Sequence, residues 1–411
     1  MLRRDFLRLS SAAAGLSLVP IGSHAWAAIN PQGAERRFVV VLLRGAVDGL
    51  NVVVPHAEAA YYDARPTIAV PQPGHPGGAL NLDGRFGLHP ALASLQPFWR
   101  ERSLAFIHAC GSPDATRSHF DAQDYMESGT PGVKSTPDGW MNRLLAQLPG
   151  KRESTSAVAF GPTVPRILSG RLNVANVPSG RAADQPMPID RPIIDAAFDR
   201  LYGGDDPLSR AYQEGMRMRV RVLADLEADM EQADNGAPSP VGFAMDTAHL
   251  ASLVRKDPAV ELAFFDLGGW DTHVAEGASE GQLANHLKPL ADGLAVLAKS
   301  LGPAYRDTVI VVMSEFGRTV HENGNRGTDH GHGNVLWVMG GPVNGGRVYG
   351  AWPGLDPSRL YQNRDLAITT DFRSALSLII ARHMRLSQRA LAQVFPGAPP
   401  TPTAIAGVVR A

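Results

Sequence analysis

Five short runs along the chain are apolar at almost every position instead of at alternate positions. Such runs, rich in β-branched residues, are typical of strands that are covered on both faces of a parallel sheet. They lie at residues 37–43, 104–110, 261–267, 309–313 and 335–339.

Between these runs, apolar residues recur at helical spacing, for example over residues 118–126, 281–301 and 371–384. Strands that alternate with helices predict an α/β fold, with a central, mostly parallel sheet and helices on both faces. A charge-rich helical stretch predicts a helical insertion around residues 193–254. Residues 61–87 are rich in Pro and Gly and are predicted to be a surface excursion.

The amino terminus has the features of an export signal. Arg3 and Arg4 form a twin-arginine pattern, residues 9–20 are weakly apolar, and residues 25–27 form an A-x-A cleavage site. We expect a twin-arginine signal peptide over residues 1–27 and a single domain over residues 28–411. The twin-arginine translocase would export this domain already folded, to the periplasm or another extracytoplasmic compartment. The alternative is an amphipathic helix with two chance arginines.

The composition of the chain excludes some classes of binding partner. The 411 residues have a formal net charge of −1, which gives no basis for binding nucleic acid. No apolar run after the signal approaches the roughly 20 residues that span a bilayer, so we expect no integral membrane segment. The single cysteine, Cys110, excludes an intramolecular disulfide.

Metal-ligand residue types follow several predicted strands. Asp271 and His273 come directly after the strand at 261–267, and Asp48 follows the strand at 37–43. Ligands in α/β folds collect outside the carboxyl ends of parallel strands, so both segments predict a metal site. The structural alternatives are a helix N-cap for Asp271 and an Asx turn for Asp48.

The segment after the strand at 309–313 adds further candidates. Glu315 and Arg318 follow the strand end, and His330 and His332 crowd into a Gly-rich loop with Asp329. We predict Glu315, His330 and His332 as metal ligands. Arg318, or Arg44 after the first strand, is predicted to stabilise charge on the oxygens of a substrate.

Ser118 and His119 open the helix that follows the strand at 104–110. Ser118 has Asp121 three residues later, as in a capping box, which is a sufficient structural role. A hydroxyl at a helix N-terminus also lies in a positive field that favours its alkoxide, so Ser118 is equally a candidate nucleophile. His119 is a candidate for holding an anionic ester.

Mixed carboxylate and imidazole ligands suit zinc best, with manganese, iron or calcium as alternatives and the number of ions left open. A metal could lower the pKa of a hydroxyl and hold the oxygens of a phosphate or sulfate. The predicted function is therefore metal-dependent hydrolysis of a small anionic ester, by Ser118 or a metal-bound water. The alternative is a non-catalytic extracytoplasmic binding or assembly protein.

Five motifs occur in a distinctive order: RG-x-x-DGLN, SHF-x-A-x-x-x-x-E, GWDTH, SEFGR and DHGHGN. This order resembles the bacterial exported family called domain of unknown function 1501, which is related to the alkaline phosphatase and sulfatase superfamily. The resemblance implies a three-layer sandwich with metals at the strand ends. It likens Asp48 to the first metal-binding carboxylate and Ser118 to the nucleophile. Phe316 departs from the pattern, because phosphatases usually have a histidine there.

Overall fold

The computed structural model describes residues 36–161, 163–177 and 233–410. The predicted signal peptide at 1–27 and the part of the predicted insertion from 193 to 232 lie outside these residues. Residues Arg37–Ala411 form one compact unit. No helix among the described residues is long and apolar enough to cross a membrane.

Nine strands of the described chain form the central sheet: β1 Arg37–Leu43, β5 Leu104–Gly111, β6 Ala157–Phe160, β7 Ala175–Val177, β8 Leu262–Leu267, β9 Thr308–Ser314, β10 Asn334–Gly340, β11 Arg347–Tyr349 and β12 Thr370–Asp371. Their order in the sheet is β11-β5-β10-β9-β1-β8-β6-β7, with β12 pairing with β5. All neighbouring pairs are parallel except those of β10, which runs antiparallel to β5 and β9. The mostly parallel sheet predicted from the sequence is thus confirmed.

Both faces of this sheet are buried, as the continuous apolar runs predict. In β1, Val39 and Val41 belong to one hydrophobic core, and Phe38 and Val40 belong to the other. Helices cover each core, so the domain has the predicted three layers. The α-helices of the described residues are α1 Gly49–Val52, α2 Ala59–Ala64, α3 Gln96–Arg100, α4 His119–Ser128, α5 Trp140–Gln147, α6 Phe243–Lys256, α7 Gln282–Leu301, α8 Phe372–His383 and α9 Gln388–Val394.

Helix α6 lies at the end of the segment predicted as an insertion, yet its residues belong to the main core. Phe243 is buried there, and an added Cβ on Gly293 of α7 would lie 2.3 Å from its ring. The Oγ1 atom of Thr247 donates to the carbonyl of Gly293 at 3.1 Å. Glycine at this position allows α6 and α7 to pack closely.

The predicted surface excursion at 61–87 contains short elements that return the chain to the core. Strands β2 Val53–Val54, β3 Leu80–Asn81 and β4 Gly87–Leu88 form a second, small sheet. Arg65, within the same segment, is fully buried. Strands of two residues have no measurable period, so the sequence pattern did not indicate them.

Three strands end at the same level on one edge of the main sheet. Leu43 of β1 is aligned with Leu267 of β8 on one side and with Ser314 of β9 on the other. Because β10 is antiparallel, its first residue, Asn334, pairs with Cys110 near the end of β5. The segments that follow β1, β5, β8 and β9 and the loop that precedes β10 therefore meet at this edge.

Candidate metal centre

His119 is the first residue of α4 and is held from one side by Glu315. Its Nδ1 atom lies 2.8 Å from Oε1 of Glu315, the first residue after β9. This contact directs the opposite ring nitrogen, Nε2, away from Glu315. Nε2 lies 2.9 Å from Nε2 of His330 and 3.5 Å from Oδ2 of Asp271.

His330 is oriented in the same way by a backbone group. Its Nδ1 atom lies 2.8 Å from the carbonyl oxygen of Arg117. Its Nε2 atom faces both His119 and His273, with a 2.9 Å separation between Nε2 atoms in each case. Ring nitrogens at this distance repel one another unless a proton or a metal ion lies between their lone pairs. The arrangement is thus typical of a set of ligands.

Asp271 contacts all three histidine rings and is 1% exposed. Its Oδ1 atom is 3.0 Å from Nε2 of His273 and 3.4 Å from Nε2 of His330, and it also accepts from Arg318. Burial alone would raise the pKa of Asp271. The three neighbouring histidine rings and the charge of Arg318 outweigh burial and hold the pKa of Asp271 well below the usual range. The carboxylate is therefore ionised.

The residues fit a divalent metal on two observations. Among the described residues, the ligand atoms of His119, Asp271 and His330 all lie within 4.8 Å of one another. The Oδ2 atom of Asp271 is buried without a hydrogen-bond partner, although a buried carboxylate oxygen normally has one. Imidazole nitrogen and carboxylate oxygen are the ligands that suit zinc. His273 contacts both Asp271 and His330 and is the adjoining fourth donor.

Glu315 supports the cluster without facing it. It is fully buried, and its Oε1 atom accepts from the Gly45 amide at 2.8 Å and from Gln123 at 3.0 Å, besides the contact with His119. Its Oε2 atom accepts from Ser314 at 2.8 Å. Burial raises the pKa of Glu315, but the hydrogen bond and charge of His119 lower it to about 2. Both oxygens are engaged, so Glu315 orients His119 and is not placed as a ligand.

Arg318 lies below the cluster and is 1% exposed. Its guanidinium donates to the carbonyl groups of Gly45, Ala46, Trp270 and Thr328 and to Asp271. The structure thus places it as a support for Asp271. It does not face a substrate, contrary to the expected role, because its donors are directed at protein atoms.

Two other predicted ligands do not join the cluster. Asp48 is buried and paired with Arg65. His332 stacks on Tyr361, with ring centroids 4.2 Å apart, while its backbone oxygen accepts from Gly317. His332 and His330 are two residues apart and point in different directions, so only one of them reaches the site.

Ser118 is the N-cap of α4, as the capping pattern predicts. Its Oγ atom accepts from the amide of Asp121 at a long 3.5 Å, and the residue is exposed. Ser118, with its exposed hydroxyl, is the residue directly before His119 in the chain. The structural role is confirmed, and the role of nucleophile stays a prediction.

Sequence reasoning gave His119 a different role and missed Asp234. His119 was predicted to hold substrate, yet its ring is part of the ligand cluster. Phe316 is buried, and its ring centroid lies 4.9 Å from that of His119 and 5.2 Å from that of His330. Asp234 accepts from the Gly269 amide at 2.6 Å, and burial raises its pKa to about 7. No sequence motif marks Asp234, which lies at the end of a charge-rich stretch.

The profile of one protein family matches residues 105–395, which include the cluster. That family is described as "Protein of unknown function (DUF1501)". The chain belongs to this family. The resemblance inferred from the five motifs is confirmed at the level of the family. Membership in DUF1501 assigns no reaction.

Solved structures are similar to this DUF1501 chain only at a distance. The structure of Ps i-CgsB with k-i-k-neocarrahexaose is 10% identical over 88% of this chain and 74% of that chain, with a TM-score of 0.43. The C-terminal periplasmic domain of EcEptC from Escherichia coli, in complex with Zn, is 10% identical over 75% and 73%, with a TM-score of 0.38. A protein in the alkaline phosphatase superfamily from Vibrio parahaemolyticus is 10% identical over 78% and 64%, with a TM-score of 0.39. No curated protein matches the sequence.

Proposed function

We propose that the protein is a metal-dependent hydrolase of small phosphate or sulfate esters. His119, His330 and Asp271 would hold a divalent ion, zinc by the chemistry of the donors, with His273 as a fourth ligand. The observation that supports this most is the close approach of the three ring nitrogens to one another and to Asp271, whose Oδ2 atom is buried without a hydrogen-bond partner. When bound, the ion would supply a positive charge that polarises the ester and stabilises developing negative charge.

Within this proposal, Ser118 is the nucleophile. Its hydroxyl is exposed next to His119, and its hydrogen bond to the Asp121 amide is long enough to be given up. The first turn of α4 places backbone N–H groups and a partial positive charge beside it. Both would favour the alkoxide of Ser118 and an anionic ester above it.

A second candidate function has an observation in its favour. The two arginines predicted to hold ester oxygens, Arg44 and Arg318, direct their guanidinium groups at protein atoms. Arg44 donates to Asp266, Gln123 and Glu127 and is 2% exposed. A non-catalytic binding protein that uses the metal centre to hold an anionic ligand would need no such arginine.

Metal content and turnover separate these functions. The parent protein, residues 28–411, and its Asp271→Asn variant would both be purified without chelators. The metal content of each would be measured by mass spectrometry. We expect bound zinc in the parent and its loss in the variant, together with hydrolysis of aryl phosphates or sulfates by the parent alone. A parent that binds no divalent metal contradicts both functions. A parent that binds metal but hydrolyses no ester in a broad screen supports the binding protein.

Export belongs to the same proposal and is supported by the motif at Arg3 and Arg4. Fusing residues 1–27 to a reporter that is active only outside the cytoplasm tests it. We expect export that requires the twin-arginine translocase and is blocked by the double substitution Arg3→Lys, Arg4→Lys. Export that is unchanged in the double variant would contradict this route.

A further inference from the structure

Asp48 is surrounded by protein donors, although the family resemblance likens it to a metal-binding carboxylate. Its side chain is fully buried. Arg65 contacts both carboxylate oxygens, with Nη2 3.0 Å from Oδ1 and Nη1 in a short contact with Oδ2. Oδ1 also accepts from the Leu50 amide at 3.3 Å. A bidentate guanidinium and a backbone amide leave this carboxylate without a free face for a metal ion.

The guanidinium group of Arg65 also has all of its N–H groups hydrogen-bonded within the protein. Besides Asp48, it donates to the carbonyls of Val320 and Thr319 at 2.9 Å each and to Asn51 Oδ1 at 2.7 Å. All five N–H groups of an arginine are thereby used. Arg65 is fully buried, so nothing from solvent can replace it without opening the core.

Glu276 is a second fully buried carboxyl group beside Asp48 and Arg65. It accepts from Asn51 at 3.3 Å, from Thr272 at 3.1 Å and from Thr328 at 2.8 Å. Burial first, and then the neighbouring charge of Asp48, raise the pKa of Glu276 well above its ordinary value. Arg65 interacts with both carboxyl groups and already supplies a buried positive charge beside them. The group formed by Arg65, Asp48 and Glu276 therefore gives no electrostatic reason to add a dication.

Glu315, a further carboxylate predicted as a metal ligand, also has both oxygens hydrogen-bonded within the protein. Glu315 uses both oxygens on His119, the Gly45 amide, Gln123 and Ser314. Phe316, the next residue, contributes an apolar ring where a ligand would be needed. Within the described part of the chain, the group around His119, Asp271 and His330 is the one set of three metal-ligand residues that converges.

From these contacts we infer that the protein is built for a single divalent ion, and that the guanidinium of Arg65 is a permanent internal cation that takes the place of a second ion beside Asp48. This inference rests on the proposed function for the existence of the first ion. It adds the number of ions and assigns Arg65 and Asp48 a positioning role.

The positioning role follows from the segments that the cluster joins. Glu276 accepts from Thr272, which lies between Asp271 and His273, and from Thr328, two residues before His330. Arg65 binds the carbonyl of Thr319, the residue after Arg318. The group formed by Arg65, Asp48 and Glu276 therefore connects the segments on which the proposed metal ligands lie, in the way that outer-shell partners fix ligands elsewhere.

The number of ions is measured directly. Protein freed of metal by a chelator would be titrated with zinc against a competing chromophoric chelator, and the loaded protein would be weighed by native mass spectrometry. We expect one tightly bound zinc ion per chain. Two tight ions per chain would overturn this inference while leaving the proposed function intact. No tight ion would overturn the proposed function and this inference with it.

Substitutions test the role of Asp48 separately. Asp48→Asn removes the charge that pairs with Arg65, and we expect a lower unfolding midpoint, with still one zinc ion per chain at saturating metal. Asp271→Asn is the matched control at a proposed ligand, and we expect it to bind none. A folded Asp48→Asn protein that binds no zinc at saturation would show that Asp48 is a ligand and overturn the inference. If Asp48→Asn does not fold, the ion count of the parent protein still decides.

Discussion

The Nδ1 atom of His119 lies 2.8 Å from a carboxylate oxygen of Glu315, and the opposite nitrogen of the same ring faces the metal-ligand cluster. Glu315 is fully buried and held by three further donors, so it fixes both the tautomer and the orientation of His119. A carboxylate behind a ligating histidine is a common device for making the imidazole a better ligand.

Substituting Glu315 with Gln should therefore weaken metal binding without removing a ligand. We expect zinc affinity to fall by roughly 10- to 100-fold, the range typical of such outer-shell partners. Competition with a chromophoric chelator gives the dissociation constant. The matched control is Asp329→Asn, which alters the carboxylate 3.3 Å from Nδ1 of His273 with its side chain 52% exposed. Solvent screening should make that loss smaller. Equal losses in the two variants would contradict the role assigned to Glu315.

Ser118 has a capping role and a proposed chemical role, and two substitutions distinguish them. Ser118→Ala removes both, whereas Ser118→Asn keeps a side chain suited to capping α4. We expect Ala to lower the free energy of unfolding by about 0.5–1 kcal/mol, with Asn close to the parent. We expect ester hydrolysis to be lost in both variants. Hydrolysis that survives in Ser118→Asn would show that the hydroxyl is not the nucleophile.

Gly45, in the segment after β1, packs closely against the backbone of Asp271 in the candidate metal centre. Its φ angle is +110°, and an added Cβ would lie 2.7 Å from the backbone nitrogen of Asp271. We expect Gly45→Ala to lower stability by more than the roughly 1 kcal/mol of backbone strain alone and to weaken zinc binding. Gly84→Ala is the matched control, because φ is +84° there and no atom lies within 4 Å of the added Cβ. Metal affinity that is unchanged in Gly45→Ala would contradict this prediction.

The buried His108 makes stability depend on pH. Burial lowers its pKa to about 4, and its Nε2 atom lies 3.0 Å from the carbonyl oxygen of Val53. The folded pKa is below that of an unfolded histidine, so between about pH 4 and 6.5 the unfolded chain binds more protons at this residue. Stability should therefore fall as the pH is lowered through this window, by up to about 1.4 kcal/mol per pH unit for this group.

Urea unfolding at several pH values between 4.5 and 7 measures this dependence. The His108→Gln variant lacks the titrating ring and should have a shallower slope than the parent. Burial also lowers the pKa of His89 to about 4. The double variant His89→Gln, His108→Gln should therefore have a still shallower slope of stability against pH. Identical slopes for the parent and His108→Gln would contradict the assignment.

Much of the fold follows from local sequence. A strand that is buried on both faces must be apolar at nearly every position, and β1, β5, β8, β9 and β10 could be predicted for this reason. Short strands such as β11 and β12 were not predicted, because two or three residues show no period and their pairing is decided by β5. The direction of β10 also depends on the tertiary fold, since a buried strand has the same apolar pattern in either direction.

For the candidate metal centre, the sequence determined which residue types follow which strand, and the segments that contain Asp271, His273 and His330 do meet at one edge of the sheet. It did not determine which way each side chain points. Asp48 could not be separated from a ligand by sequence, because its partner Arg65 lies 17 residues away in a segment rich in Pro and Gly. His119 joins the ligands because α4 begins beside Glu315, a residue 196 positions away. Only the packing of distant segments decides whether a carboxylate faces an internal cation, an imidazole or an open site.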